Sequence, residues 1–232
     1  MTFTILAFCP RSGKIGLAQS TGTPAVSNRT FRIFPGRGVL TVQAGHNFYQ
    51  RELAIALYEA GYGAEKILHA LAAADPNSDQ RQTAVVNVSG DIAVRTGPKA
   101  FPWNGSHVGK TFAVAGNALV GPQVVEAMAD AFEASADHEL EERLLRAIEA
   151  GRDAGGQPTG QRSAVLQVHA DKAYPLIDLR VDINLEPVGE LRKGFDWYLP
   201  LAYHYVDCYE AGTVARYRDH LKSIGWPESI SS

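Results

Sequence analysis

The chain has 232 residues, 45% of them apolar and 20% charged, with a net charge of -3 at pH 7. That length suits one large domain or two small ones, and the composition is that of a globular protein rather than a disordered or fibrous one. A pI near 6.2 supplies no basic field to hold nucleic acid or an anionic membrane.

Residues 2–9, TFTILAFC, are β-branched and aromatic and predict a strand. PRSGK gives a tight turn into a second strand over 14–20, so the chain opens with an antiparallel hairpin. Residues 21–38 read as a polar loop, and GVLTVQAG (38–45) as a third strand. From Asn47 the apolar spacing turns helical and stops at Gly61, and a second helix, AEKILHALAAAD, stops before Pro76. QTAVVNV (82–88) and IAVRTG (92–97) flank an SGD turn as a hairpin. Residues 98–110 read as an irregular loop, TFAVAGNAL (111–119) as a strand, and about 122–135 and 139–151 as helices. SAVLQVHA (163–170) and LIDLRVDI (176–183) are strands. A helical, aromatic-rich tail then runs from Pro187 to about Lys222, with Pro200 expected to interrupt it.

Strand hairpins with helices grouped between them predict an α/β (α+β) protein of two sheets covered by helical layers. One domain over 1–232, with a divergent tail from about 195, accounts for the order better than two. Cys9 and Cys208 are too few for a disulfide framework and are expected as unpaired thiols. The start lacks a basic signal region, and no apolar run reaches the ~20 residues that span a bilayer, so a cytoplasmic location is expected.

Five stretches in order carry a family resemblance: MTFTILAFCPRSGKIGLA, VNVSGDIAVRTG, WNGSHVGKTFAVAGNALVGPQVVEAMADAFEA, LEERLLRAIEAGRDAGG followed by SAVL, and DLRVDINLEPVGELR. Together they span about residues 1–195, and the chain resembles the domain of unknown function 1028 family, placed within the N-terminal nucleophile (Ntn) hydrolase-like superfamily. The resemblance implies an α-β-β-α four-layer sandwich. The chain departs from the family pattern at Gln157 and Thr159, where an acidic residue and an arginine are usual, and at Ala115, where glutamine is usual. These changes bear on substrate and loop contacts more than on the fold.

The resemblance makes Thr2 the candidate catalytic residue, exposed as the first residue once methionine aminopeptidase removes Met1. It would then carry a hydroxyl and a free α-amine of reference pKa near ~7.7–8, and so act as its own nucleophile and base. Without the resemblance, Thr2 reads simply as a β-branched residue opening a strand. Asn117, beside Gly116 at a strand end, can offer an amide N–H to an oxyanion; the plainer reading is an Asn in a left-handed turn. Ser20, Thr21, Gln43 and Gly116, at strand ends near Thr2, and His46, in a loop, are candidate substrate-binding positions. Strand 38–45 holds no lysine to lower the amine pKa. Arg29, Arg32 or Arg37 in the preceding loop can supply charge, although solvated loop positions are the ordinary reading.

No histidine pair has metal-ligand spacing, and neither FPGRGV nor AGGQPTG fits a phosphate-loop pattern. No metal and no organic cofactor is therefore expected. His46 and His107 are placed in loops able to line a pocket. The expected partners are a small-molecule or short-peptide amide substrate and further copies of the chain. The tail aromatics read either as a helix packed on the domain or as a homo-oligomer contact. The expected function is an amidohydrolase; the competing one is a non-catalytic binding or assembly module that keeps the fold.

Overall fold

In a computed structural model that describes residues 1–214 and 216–226, the N-terminal segment forms β1 (Thr2–Phe8). It lies between β2 (Ile15–Thr21) and β8 (Phe112–Asn117), antiparallel to both. β9 (Ser163–His169), β10 (Ile177–Val181) and β7 (Asn104–Val108) complete a six-stranded sheet in the order β10-β9-β2-β1-β8-β7. β3 (Phe31–Phe34), β4 (Gly38–Ala44), β5 (Arg81–Asn87) and β6 (Ile92–Thr96) form a second antiparallel sheet in that order. The chain is thus mixed α/β, with two antiparallel sheets and six helices among the described residues.

The sheets meet through β1, β2 and β8 on one side and β4, β5 and β6 on the other. α1 (Phe48–Glu59) and α2 (Ala64–Ala73) pack on the four-stranded sheet, α3 (Gln123–Ala134) and α4 (Leu140–Asp153) on the six-stranded one. α1 starts at Asn47, whose side chain accepts from the Tyr49 N–H at 3.0 Å and so satisfies one of the orphan donors of the first turn. It ends at Gly61, in the left-handed region at φ 77°, where a side chain would be strained. On α4, Gly151 lets the helix approach β1: a Cβ there would lie 2.8 Å from Met128 Cγ and 3.1 Å from Phe3 Cδ2. Lys14, just before β2, ties that strand to the start of α4 through Glu139 Oε2 (2.8 Å) and Glu141 Oε1 (3.0 Å). Both carboxylates also suit the positive end of the helix dipole.

Period-two alternation sorts the strand residues between faces. Leu6, Phe8, Ile15, Leu17, Val39 and Val86 form an apolar cluster between the sheets, whereas Leu40, Val42 and Val85 face Ile67 and Leu71 of α2. The same inward face changes character along the strands. Past the apolar cluster it carries Thr4, Gln19, Thr41, Gln43, Gln82 and Asn117, each at most 1% exposed. The inter-sheet core therefore has a dry end and a polar end, and Thr2 stands at the polar end.

Two strands occupy segments expected as loops. Phe31–Phe34 does alternate, with Phe31 and Ile33 buried and Arg32 exposed, but four residues are too few to set a period. Asn104–Val108 (NGSHV) lacks strand propensity and is an edge strand whose one strand partner is β8. His107, expected in a loop, stands exposed on this strand with its ring 5.6 Å from that of Phe112.

The chain divides at Leu191/Arg192 into two units. α5 (Pro187–Glu210) runs through Pro200 without a break, against expectation. Proline deprives the helix of one backbone donor. Within the second unit, ring contacts to α6 (Tyr217–Ser223) and the residues after it hold both sides of that point: Trp197 meets Trp226 edge-on at 5.3 Å, and His204 stacks on His220 at 4.0 Å. The Pro200 carbonyl accepts from His220 Nε2 at 3.1 Å. Cys9 and Cys208 are free thiols, the first buried and the second half-buried. Among the described residues no helix is long and apolar enough to cross a membrane.

Candidate active site

Register places Thr2 opposite Thr21 on β2 and opposite Asn117 on β8. Residues paired across antiparallel strands share a face, so all three point toward the second sheet. The Thr2 and Thr21 hydroxyls lie 3.1 Å apart. Thr21 donates its hydrogen to the Met1 carbonyl, so in this arrangement Thr2 is the donor to Thr21. Both hydroxyls border a cavity of about 270 Å³ whose wall also holds Thr23, Arg29, Gln43 and His46. Ala44, on the same wall, takes a left-handed backbone at φ 73°, which a non-glycine residue holds only when its surroundings impose it.

Behind Thr2 the polar end of the core is a connected hydrogen-bond network. Gln43 Oε1 accepts from Thr4 Oγ1 at 2.7 Å and Gln19 Nε2 at 3.0 Å. Gln43 Nε2 donates to Gln82 Oε1 at 2.8 Å and to the Ala115 carbonyl at 3.3 Å. Gln82 Oε1 also accepts from Asn117 Nδ2 at 3.1 Å, while Gln82 Nε2 donates to the Gly116 carbonyl and Thr96 Oγ1, each at 3.0 Å. Glutamine spans the gap between sheets and can both give and take, which is why it serves here. One atom is left over: Asn117 Oδ1 is buried and has no partner.

Charge at the cavity is one-sided. The Arg29 guanidinium is held by neutral oxygens: Nη1 donates to the Pro24 and Ala25 carbonyls at 2.7 and 2.8 Å, and Nη2 to Thr23 Oγ1. Burial lowers its pKa from an already very high value, so it stays charged. His46 is held below the ordinary histidine value by partial burial, then by the Arg29 and Arg81 charges. Arg81 is itself balanced by Asp75 at 2.9 Å. The Met1 amine is also pushed down, by burial.

The model of a family of unknown function, DUF1028, matches residues 2–191. The chain belongs to the DUF1028 family. The crystal structure of a DUF1028 protein, SPO2555 from Silicibacter pomeroyi, shares 29% identity over 85% of each chain, with a TM-score of 0.78. More distant is Anbu (ancestral beta-subunit) from Yersinia bercovieri, at 10% identity over 86% of this chain and 94% of that one, with a TM-score of 0.43. The helical assembly of the Anbu complex from Pseudomonas aeruginosa is at 13% identity over the same shares, with a TM-score of 0.44. Likeness at that level carries no weight for function. No curated protein matches the chain.

In this DUF1028 protein, Thr2, Thr21, Gln43 and His46 do converge on one cavity. Asn117 lies across the strand pair from Thr2 and is fully buried behind it. It is part of β8 with ordinary backbone; the left-handed corner falls one residue later, at Ala118, φ 51°. Gly116 faces the other way, where a Cβ would meet Leu119 Cδ1 at 2.4 Å, and it reaches the polar core only through its carbonyl. Ser20 is not brought to the cavity: its neighbour Thr21 takes the inward face, and Ser20 Oγ donates to the Ser163 carbonyl at 3.1 Å. Gln43 borders the cavity, but its amide is already committed on both atoms. Sequence reasoning missed Gln19 and Gln82, whose signal was a glutamine at an inward position of an otherwise apolar strand. Arg29, one of three loop arginines expected either to supply charge or to stand solvated, lines the site; no local pattern separates it from Arg32 and Arg37, because the fold of residues 21–30 decides where it points.

Proposed function

We propose that the protein is an N-terminal-nucleophile amidohydrolase of the four-layer α-β-β-α type, acting in the cytoplasm on a small-molecule or short-peptide amide, with Thr2 as nucleophile. The observation that carries this is the placement of Thr2: a hydroxyl on the central strand β1, 3.1 Å from a second hydroxyl, on the wall of a cavity at the polar end of the core. With Met1 removed, the Thr2 α-amine takes the hydroxyl proton as Oγ1 attacks the amide carbon. Asn117 has one Nδ2 hydrogen beyond the one given to Gln82, and with it stabilises the oxyanion. The C–N bond breaks as the amine leaves with the proton, and water then hydrolyses the Thr2 ester and restores the hydroxyl. The exposed Tyr203, Tyr205 and Tyr209 on α5 are assigned to a homo-oligomer contact, which a monomeric sedimentation profile would remove from the proposal.

The competing reading is a non-catalytic binding module, which holds if Met1 stays on the chain. Met1 is built into the strand end: its carbonyl accepts from Thr21 Oγ1 and from the Gly22 N–H at 3.3 Å, and its Sδ accepts from Thr159 Oγ1 at 3.3 Å. While Met1 is attached, the Thr2 nitrogen is an amide and cannot act as a base. Intact mass of the purified protein, followed by amide hydrolysis with wild type and Thr2→Ala, separates the two. Loss of Met1 with Thr2-dependent turnover is expected. A retained Met1, or turnover unchanged in a folded Thr2→Ala protein, refutes the nucleophile assignment.

A further inference from the structure

We infer that the Thr2 cavity selects an amide bearing a free carboxylate, bound by the Arg29 guanidinium; as a substrate class this rests on the amidohydrolase reading, whereas carboxylate binding itself does not. Among the described residues that line the cavity, the side chains are hydroxyls, an amide, Met1, Ala44, His46 and Arg29, with no carboxylate. Arg29 is half-buried and charged, and its contacts are two carbonyls and one hydroxyl. A guanidinium has five N–H donors. These contacts use three, leaving one on Nη2 and the one on Nε for a ligand. The carbonyls fix the side chain in place without neutralising it, so a ligand meets an oriented fork and not a mobile surface arginine.

Arg29 differs in this from Arg81, the other charge acting on His46, which has Asp75. An uncompensated, half-buried cation facing a cavity costs solvation that an anionic ligand restores. A carboxylate fits the remaining donors better than a phosphate does: two N–H groups match its two oxygens. The Thr23 hydroxyl and, once Met1 leaves, that of Thr21 suit the rest of a small polar ligand, and the space is small: with Met1 on the wall, about 270 Å³ is below the ~300–1,000 Å³ usual for drug-sized molecules. The fitting class is thus a short dicarboxylic monoamide or a small N-acyl amino acid, with the carboxylate at Arg29 and the amide carbon at Thr2 Oγ1.

The test uses the full-length protein at fixed ionic strength. Calorimetry compares malonate, succinate and glutarate with their neutral diamides. At least one dicarboxylate is expected to bind about tenfold or more tightly than its diamide, the scale of a charge-assisted pair. Thr2→Ala should keep that preference, and Arg29→Gln should abolish it; Arg29→Lys, with charge but no fork, should keep only part. Because Arg29 also braces the 23–25 turn, the ligand comparison on unaltered protein is decisive. If no dicarboxylate binds better than its diamide, the inference is overturned. Thr2-dependent hydrolysis of amides without preference for a carboxylate would overturn it while sparing the amidohydrolase reading. Carboxylate binding with no Thr2-dependent turnover would do the reverse.

Discussion

Replacing Gln82 by leucine tests whether the polar end of the core is a cooperative network. Gln82 is fully buried, and leucine has a similar volume, so the main cost is polar. Its Oε1 is the acceptor for Gln43 Nε2 and Asn117 Nδ2. Without it, the Asn117 amide loses its hydrogen bond, while Gln43 Nε2 falls back on its 3.3 Å bond to the Ala115 carbonyl. Leaving the Asn117 donor bare costs about 1–3 kcal/mol, and the bonds lost at Gln43 Nε2 and at the Gly116 carbonyl add about 1–3 kcal/mol more, about 2–6 kcal/mol in all. The greater apolar burial of leucine offsets about 1–2 kcal/mol of this. A net loss of about 2–3 kcal/mol is expected, a fall in Tm of about 4–12 °C for a domain of this size. Urea unfolding followed by circular dichroism, with linear extrapolation, measures it. Gln43→Leu should cost a similar amount, but the double variant should cost at least about 1 kcal/mol less than the sum, because each change strands a group the other removes. A loss below about 1 kcal/mol, or single effects that add within about 0.5 kcal/mol, would refute the network.

Other predictions follow from the same packing. Lys14→Met should destabilise by about 3–5 kcal/mol, since it leaves the almost fully buried Glu141 without its cation; Glu141→Gln in the same background should recover part of the loss in urea unfolding. Gly151→Ala gains helix propensity of about 1 kcal/mol, but its methyl would sit 2.8 Å from Met128 Cγ and 2.9 Å from Met128 Sδ, so a net loss of about 1–2 kcal/mol is expected, and a more stable variant would show that Met128 moves freely. Asp75 is held below the ordinary aspartate value: burial alone would raise it, but the Arg81 hydrogen bond, the Asn77 N–H, Asn47 and the Arg81 charge together outweigh that. Its contribution is therefore present above the unfolded value near ~4 and lost as pH falls through the folded one, and Asp75→Asn should flatten stability against pH in that range. His46 should titrate below ~6.5 by NMR, and Arg29→Gln should move its midpoint up by removing one of the two nearby charges. For a depressed histidine, stability is full above the unfolded value and lost as pH falls through the folded one.

Much of the fold was legible because period and punctuation are local. The hairpin at residues 2–20, the helix bounded by Asn47 and Gly61, and the hairpin at 82–97 each follow from alternation, a cap or a turn written in adjacent residues. The edge strands at 31–34 and 104–108 and the unbroken helix through Pro200 follow from pairing and ring contacts made by distant segments, which leave no trace in a short window.

The site divides the same way. The sequence by itself determined that Thr2 opens a strand and that Thr21 and Gln43 stand at strand ends, with His46 in the loop beyond, since these are facts of order and period. Only the tertiary structure decided which of them share a face. Strand parity sends Thr21 inward and Ser20 outward, and register sets Thr2 against Asn117. Stacking one sheet on the other joins Gln19, Gln43 and Gln82 into one network, and the turn at 23–25 aims Arg29 at the cavity. A side chain's chemistry belongs to its residue, but its neighbours across a sheet, and therefore its charge balance and its solvent, are set by segments far away in the chain.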